Sequence, residues 1–578
     1  MLKTQLKKEI EKALKEAQSK KELPDFKLPK FTIERPENEK FGDYAANIAM
    51  QLAPIIKKSP AEIAKAIVKH FKAEEFETPE IAGGFINFKL QQEYLIKNLQ
   101  EIIEQKDQFG SERNNKTIVI DYSSPNVAKP FGIGHLRSTL IGDSIKKTYK
   151  KIGWNTVGIN HIGDWGTQFG KLLVAFEKWG DEDELYQKGI KYLYNLYVKF
   201  HKEEEKDPKL KKLAKEKFKK LESGDKKAKH ICALFTHASI EEFDKIYKDL
   251  GIKWDLIQWV AGKRNPRIPE SEYNKEAKER TQEWLESGKA KESKGAIIIE
   301  LPDKNIPPLL LEKSDGATLY ATRDLAAAID RYDKYKFDLM VYEVGNEQAL
   351  HFKQLFLALE KLGYKWAKDC KHISHGLYRF KDGKLSTRKG KTIFMEDIIN
   401  DAIEKSKKII QEKNPDLKNK DQTAKKVGIG AIKYNDLAQH RQTDIIFDWE
   451  KILNFEGNSG PYLQYTYARI QSIIKKSNVG AGHNLPTQFK EPEEISLLRE
   501  LIYFPEVVQS AAGSFEPHRI ANYLNDLARK FNLFYNKLPV LKAKNEETKN
   551  SRLSLISAVA EVLSIGLDLL GIETVEEM

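Results

Sequence analysis

Cysteine is nearly absent: Cys232 and Cys370 are the only two in 578 residues. Two thiols so far apart build no disulfide framework and match no zinc-ligand spacing, so a reducing compartment, the cytoplasm, and no bound metal are expected. Long apolar runs are missing too. No stretch approaches a membrane span, and the opening MLKTQLKKEIEKALKEA is an amphipathic helix without the apolar core of a secretory signal. A membrane partner is therefore not expected. Internal repeats and low-complexity tracts are also lacking, which excludes solenoids and fibrous arrays.

Core-forming residues are plentiful, at 40% hydrophobic and 10% aromatic, so the chain folds. Its length exceeds one hydrophobic core and implies three or four domains. The formal charge of +12 favours a polyanionic partner, although with 85 acidic residues a lysine-rich solvated surface gives the same balance.

The most informative stretch runs from Lys116 to Gln168. Thr117–Ile120 is β-branched and apolar, as a buried parallel strand requires. A Ser/Pro/Gly loop follows, ending Gly132-Ile133-Gly134-His135. Ser138 is placed to cap a helix carrying Leu140, Ile141, Ile145 and Tyr149, and Trp154–Ile159 reads as a second strand. Such a β-loop-α-β unit brings a helix N-terminus and close-lying backbone against a phosphate. Gly132 and Gly134 permit the approach, and Lys129 and His135 can donate to a polyphosphate. Alone, Gly-x-Gly between a strand and a helix is a weak signal.

The chain divides as follows. Residues 1–114 read as a small α/β domain, with a helix from Ser59 to about Ala73 and a short strand in GGFINFKL. Residues 115–404 alternate strands and helices, which argues for a Rossmann-type doubly wound parallel sheet; strands are expected near 294–301, 309–311, 337–344 and 372–380. A polar, mixed-charge insertion at about 181–295 reads as exposed helices. Residues 405–578 show only helical patterns and form an all-α domain.

The run SPNVAKPFGIGHLRST with NHIGDWGTQFG resembles the arginyl-tRNA synthetases, and Gly132–His135 resembles the HIGH signature of class I aminoacyl-tRNA synthetases, with Gly132 in place of its first histidine. KLSTR at Lys384–Arg388 resembles the KMSKS signature, with Thr387 replacing the second lysine. TDIIFDWEKILNFEGNSGPYLQYTYAR and the ending LLGIETVEEM resemble the family's anticodon-binding domain, and the first domain its tRNA D-loop domain.

The resemblance implies an arginine–tRNA ligase that uses ATP with Mg²⁺, acts on L-arginine and tRNA(Arg), and is a monomer. It assigns ATP binding to Gly132, Gly134, His135, Lys384 and Ser386, with His135 on the phosphates, Lys384 on pyrophosphate and Lys129 compensating for Thr387. It assigns the arginine pocket to Asn126, Tyr320, Asp324 and Gln348, with Asp121 and Ser124 alongside. A guanidinium favours such a carboxylate, and Tyr320 and Asp324 share a helix face. It points to Phe85 and Asn87 for the D-loop; Tyr462, Tyr465 and Tyr535 are aromatics able to stack on anticodon bases. Two rivals are a small-molecule nucleotidyl transferase, which has no need of the helical tail, and a non-catalytic RNA-binding relative, which has no need of Tyr320, Asp324 and His135.

Overall fold

The computed structural model describes residues 2–254, 258–260, 263–265, 267–314, 316, 319–379, 394–477 and 488–578. The chain forms two compact units: residues 1–111 with 466–510 and 523–565, and residues 112–465 with 511–522 and 566–578.

The first unit begins with α1 (Leu2–Ser19), β1 (Ile33–Glu34), β2 (Tyr44–Ala46), α2 (Ile48–Ile56), α3 (Pro60–His70), β3 (Glu80–Ala82), β4 (Phe85–Phe88) and α4 (Gln92–Gln105). The strands pair antiparallel in the order β1-β2-β4-β3. The Ser59 hydroxyl accepts from the Glu62 N–H while the Glu62 carboxylate takes the Ser59 N–H, fixing the start of α3. The helix stops at His70, short of the expected Ala73, because Phe71 turns to extended backbone. Arg35 clamps Glu500 through two bonds of 2.9 and 2.5 Å, joining the early strands to the later helices of this unit.

The second unit is built on β5 (Thr117–Asp121), α5 (Ile133–Lys151) and β6 (Asn155–Ile162), the expected unit. The helix begins at Ile133, not after Ser138: the glycine loop feeds it directly, and the Ser138 hydroxyl instead accepts from Ser123 N–H at 2.9 Å and donates to Glu343 O at 2.8 Å. Next come α6 (Thr167–Trp179), α7 (Glu182–Lys206), α8 (Lys209–Glu222) and α9 (Lys226–Asp249). These helices are not merely exposed. Phe169, Leu173, Phe200, Leu210, Ala214 and Phe235 bury a common core beneath the charged faces.

Then follow β7 (Gln258–Val260), β8 (Lys263–Asn265), β9 (Arg267–Pro269), α10 (Asn274–Glu286), β10 (Lys291–Ser293), β11 (Ala296–Ile299), β12 (Leu309–Glu312), α11 (Tyr320–Tyr335), β13 (Leu339–Gly345), α12 (Ala349–Lys361), β14 (Cys370–His375) and β15 (Tyr378–Arg379). The central sheet is parallel, in the order β14-β13-β5-β6-β9. Val119, Ile159, Met340, Leu325 and Leu355 meet in its core. The strands of 291–312 stay out of it as a separate antiparallel sheet. Lys294 and Gly295 both have left-handed φ, the geometry of a tight two-residue hairpin, whereas parallel pairing needs a long crossover.

The remaining elements are α13 (Met395–Lys413), α14 (Lys420–Leu437), β16 (Ile445–Ile446), α15 (Trp449–Ile452), α16 (Gly460–Ser477), α17 (Pro492–Ile502), α18 (Phe504–Ser514), α19 (His518–Lys537) and α20 (Glu546–Leu569). Among the described residues here the one strand, β16, pairs with β15. Among the described residues no helix is long and apolar enough to cross a membrane.

Candidate active site

The loop from β5 to α5 holds three non-glycine residues in the left-handed region: Ser123 (φ 71), Ser124 (φ 42) and Ala128 (φ 61). Each costs about 1–3 kcal/mol and persists only where surrounding contacts over-determine it. They do here. Ser124 Oγ donates to Asp121 Oδ1 at 2.8 Å, and Ala128 N–H donates to Ser239 Oγ at 2.8 Å. Val127 N–H donates to Gly163 O at 2.9 Å, and Gly163 N–H to Pro125 O at 3.2 Å. A Cβ at Gly163 would lie 2.4 Å from Asn126 Oδ1, so any larger residue there would push that amide aside. The strained loop thus fixes half-buried Asn126 and Lys129 at the carboxyl end of the sheet.

Helix α5 opens on a reciprocal cap. His135 N–H donates to Gly132 O at 2.9 Å, and Gly132 N–H donates to His135 Nδ1 at 3.2 Å. With Nδ1 accepting, a neutral ring carries its hydrogen on Nε2. Burial, with the Lys129 charge adding to it, pushes the His135 pKa down to about 4. The ring is therefore a neutral donor at a helix N-terminus, where first-turn N–H groups lack intrahelical acceptors. A Cβ at Gly132 or Gly134 would meet no heavy atom within 4 Å, so the space over this turn is open. Lys384, Ser386 and Thr387 lie outside the described residues. The chain that follows them is bound here: Phe394 bridges Gly132, and Met395 N–H donates to Phe131 O at 3.1 Å.

Helix α11 presents Tyr320, 52% exposed, and one turn later Asp324. Asp324 Oδ2 lies 2.8 Å from His351 Nε2, and Oδ1 lies 3.9 Å from His161 Nε2. Burial pushes the Asp324 pKa up, but the His351 hydrogen bond and the cationic groups around it outweigh burial, and the carboxyl sits below its ordinary value. The Tyr320 ring packs on His351 at 4.7 Å between centroids. Gln348, exposed, ends the turn between β13 and α12. Asp121, expected to line the pocket, is 5% exposed and pairs with the buried Arg331 at 2.8 Å. Its carboxylate already serves a guanidinium of this chain. Burial opposes the Arg331 charge, yet Asp121 more than offsets it and the pKa lies above the ordinary arginine value.

The sequence-expected RNA contacts fall in both units. Phe85 is exposed, but its neighbour Asn87 is buried, with 6% of its surface accessible. Tyr535 is exposed, stacked on Phe531 at 6.0 Å, with the Arg469 guanidinium 5.4 Å from its ring. Tyr462 and Tyr465 are half-buried on α16 and belong to the second unit. Sequence reasoning missed His161, His351 and Arg331. A helical-face count from Asp324 reaches Arg331 two turns on, and His351 follows Gln348 by three positions.

Family models match three stretches: residues 98–449 fit the tRNA synthetases class I (R) catalytic domain, 463–578 the DALR anticodon binding domain, and 4–90 the arginyl tRNA synthetase N terminal domain. The arginine–tRNA ligase of Clostridium botulinum (strain Langeland) is 43% identical over 549 residues, covering 94% of this chain and 96% of that one. The Clostridium beijerinckii arginine–tRNA ligase is 42% identical over 549 residues, with 94% and 96% covered. The Thermus thermophilus arginyl-tRNA synthetase structure superposes with a TM-score of 0.84 at 26% identity, covering 100% of each chain. That of Plasmodium falciparum gives 0.82 at 26%, covering 100% and 99%.

Proposed function

Because the chain belongs to the arginyl-tRNA synthetases of class I and is an arginine–tRNA ligase, we propose how its own residues divide the work. The arginine carboxylate attacks the α-phosphorus of ATP, pyrophosphate leaves, and the arginyl group of the adenylate then passes to the 3′ end of tRNA(Arg). ATP enters as substrate with its Mg²⁺. Gly132 and Gly134 let the triphosphate reach the start of α5. His135 donates from Nε2, and Lys129 supplies positive charge beside it in place of the lysine replaced by Thr387. Charge that develops on the phosphates is met by fixed donors, which help most in the transition state. Lys384 and Ser386, on the far side of the Phe394 bridge in sequence, hold pyrophosphate and ATP.

Asp324 takes the guanidinium, Tyr320 covers it, and Asn126 with Gln348 holds the substrate's other end. Ser124 braces the loop through Asp121, which acts by holding Arg331. The single observation that carries this reading is that the capped start of α5 follows the carboxyl end of β5, while the Asp324 carboxylate lies beside His161 near the carboxyl end of β6 and His351 shortly past that of β13, the end at which open α/β sheets bind ligands. Phe85 for the D-loop, and Tyr462, Tyr465 and Tyr535 for the anticodon, are the RNA contacts of this reading, whereas Asn87 is buried and is not among them. We also propose a division into domains at 114 and 404, a cytoplasmic location and a monomeric state.

ATP–pyrophosphate exchange with each amino acid in turn, with and without total tRNA, tests it. Exchange should depend on arginine and rise when tRNA is added. Equal exchange with another amino acid defeats the arginine pocket.

A further inference from the structure

Asp324 has a second imidazole beside it. His161 stands on β6 with its side chain 13% exposed and Nε2 3.9 Å from Asp324 Oδ1, too long for a hydrogen bond. Among the described residues neither of its ring nitrogens has a hydrogen-bond partner, although both are withdrawn from solvent. Buried polar groups are nearly always paired, and an exception asks for an explanation. The ring of Tyr273 lies 5.9 Å away between centroids and spends its hydroxyl on Asp330 at 3.1 Å. On the other flank of Asp324, His351 already occupies Oδ2.

A guanidinium has five N–H donors and no acceptor. One carboxylate with an oxygen already engaged does not satisfy them all. We propose that His161 is a further specificity-determining residue of the arginine site, its Nε2 accepting an N–H from the same guanidinium that Asp324 binds. The inference rests on the reading of Asp324 as the guanidinium carboxylate. The spacing suits it: a donor nitrogen set at hydrogen-bond length from Oδ1 falls within reach of a ring nitrogen 3.9 Å from that oxygen. The charge state suits it as well. Burial, then the nearby Arg331, hold the His161 pKa below its ordinary value against the pull of Asp121, Asp324 and Asp164. A neutral ring offers a lone pair, whereas an imidazolium would repel the substrate. A substrate with an apolar or hydroxyl-bearing end leaves both acceptors incompletely paired, which is how such a site rejects it.

The test compares His161→Phe, which keeps the ring and removes the acceptor, with His161→Asn, which keeps an acceptor, in the full chain with tRNA present. His161→Phe should raise the KM for arginine at least tenfold while the KM for ATP and kcat at saturating arginine stay within about threefold. His161→Asn should recover most of the loss. An arginine KM unchanged in His161→Phe, with Asp324→Asn strongly impaired, overturns the role of His161 and leaves the carboxylate reading standing. Normal KM in both overturns the two together. If His161→Phe does not fold, ¹⁵N-histidine-labelled parent protein, assigned with His161→Asn, is titrated with arginine. The Nε2 resonance should move toward a hydrogen-bonded acceptor, and a resonance unmoved at saturation overturns the proposal.

Discussion

His351 Nε2 and Asp324 Oδ2 lie 2.8 Å apart, though 27 positions separate the two residues in sequence. The first turn of α12 thereby aims a carboxylate carried on α11. His351 is 8% exposed, so its ring has no solvent to turn into, and the Tyr320 ring closes its other side. The carboxylate orientation is set before any ligand arrives, which spares the binding step that ordering.

Asp324→Ala should raise the KM for arginine about 100-fold or more, since removing one partner of a buried charge pair costs about 3–5 kcal/mol. His351→Ala should cost less, about tenfold, and His351→Gln, which keeps a donor near Nε2, should recover part of it. Steady-state kinetics beside thermal melts read this out. Near-normal arginine affinity in a folded Asp324→Ala variant would reduce Asp324 to a helix-start acid.

Lys129→Ala should lower kcat for arginine activation by about two orders of magnitude, as loss of one preorganised donor does. The KM for arginine should move little, because the contact strengthens in the transition state. Thr387→Lys in the same chain should restore part of the rate. An unchanged kcat excludes compensation by Lys129.

The pH profile of kcat/KM for ATP should lack a histidine inflection near 6.5 belonging to His135, whose pKa is pushed down to about 4. The sign for stability follows. Between about 6.5 and 4 the unfolded chain binds a proton that the folded one refuses, so this residue destabilises the fold as pH falls through that window. His135→Asn, neutral throughout, should flatten that slope in pH-dependent melts. An inflection near 6.5 that disappears in His135→Asn would show instead that the ring titrates normally.

Arg331→Met should destabilise the protein by about 3–5 kcal/mol, because it strands the buried Asp121 carboxylate. Asp121→Asn in the same chain should return much of it, as denaturant titration of the single and double variants would measure. Additive losses would mean that the two residues are not coupled.

The sequence made the β5-loop-α5-β6 unit legible because its period changes sharply, from a β-branched run to helical spacing and back. The start of α5 was misread because Ser138 is a good cap by residue type, and nothing in the sequence says that its hydroxyl is spent on Glu343 and Ser123. The hairpin at Lys294-Gly295 was signalled only by one glycine, so two strands were credited to the wrong sheet. Three-residue β9 carries too little pattern to be seen. Asp324 and Tyr320 were readable as a motif, but His161 and His351 come from other elements. Their meeting is a property of the fold, and a single sequence shows no proximity.

The left-handed Ser123, Ser124 and Ala128 bear on what directed evolution would find. Glycine or asparagine at such positions relieves local strain, at about 1–2 kcal/mol per residue. A screen that rewards only survival of heating should therefore be drawn to this loop. Its winners there should be poor ligases, since the relief also loosens Asn126 and Lys129. Heat tolerance and turnover should trade against each other at these three positions, while core-filling changes on the far faces of the sheet should raise one without lowering the other.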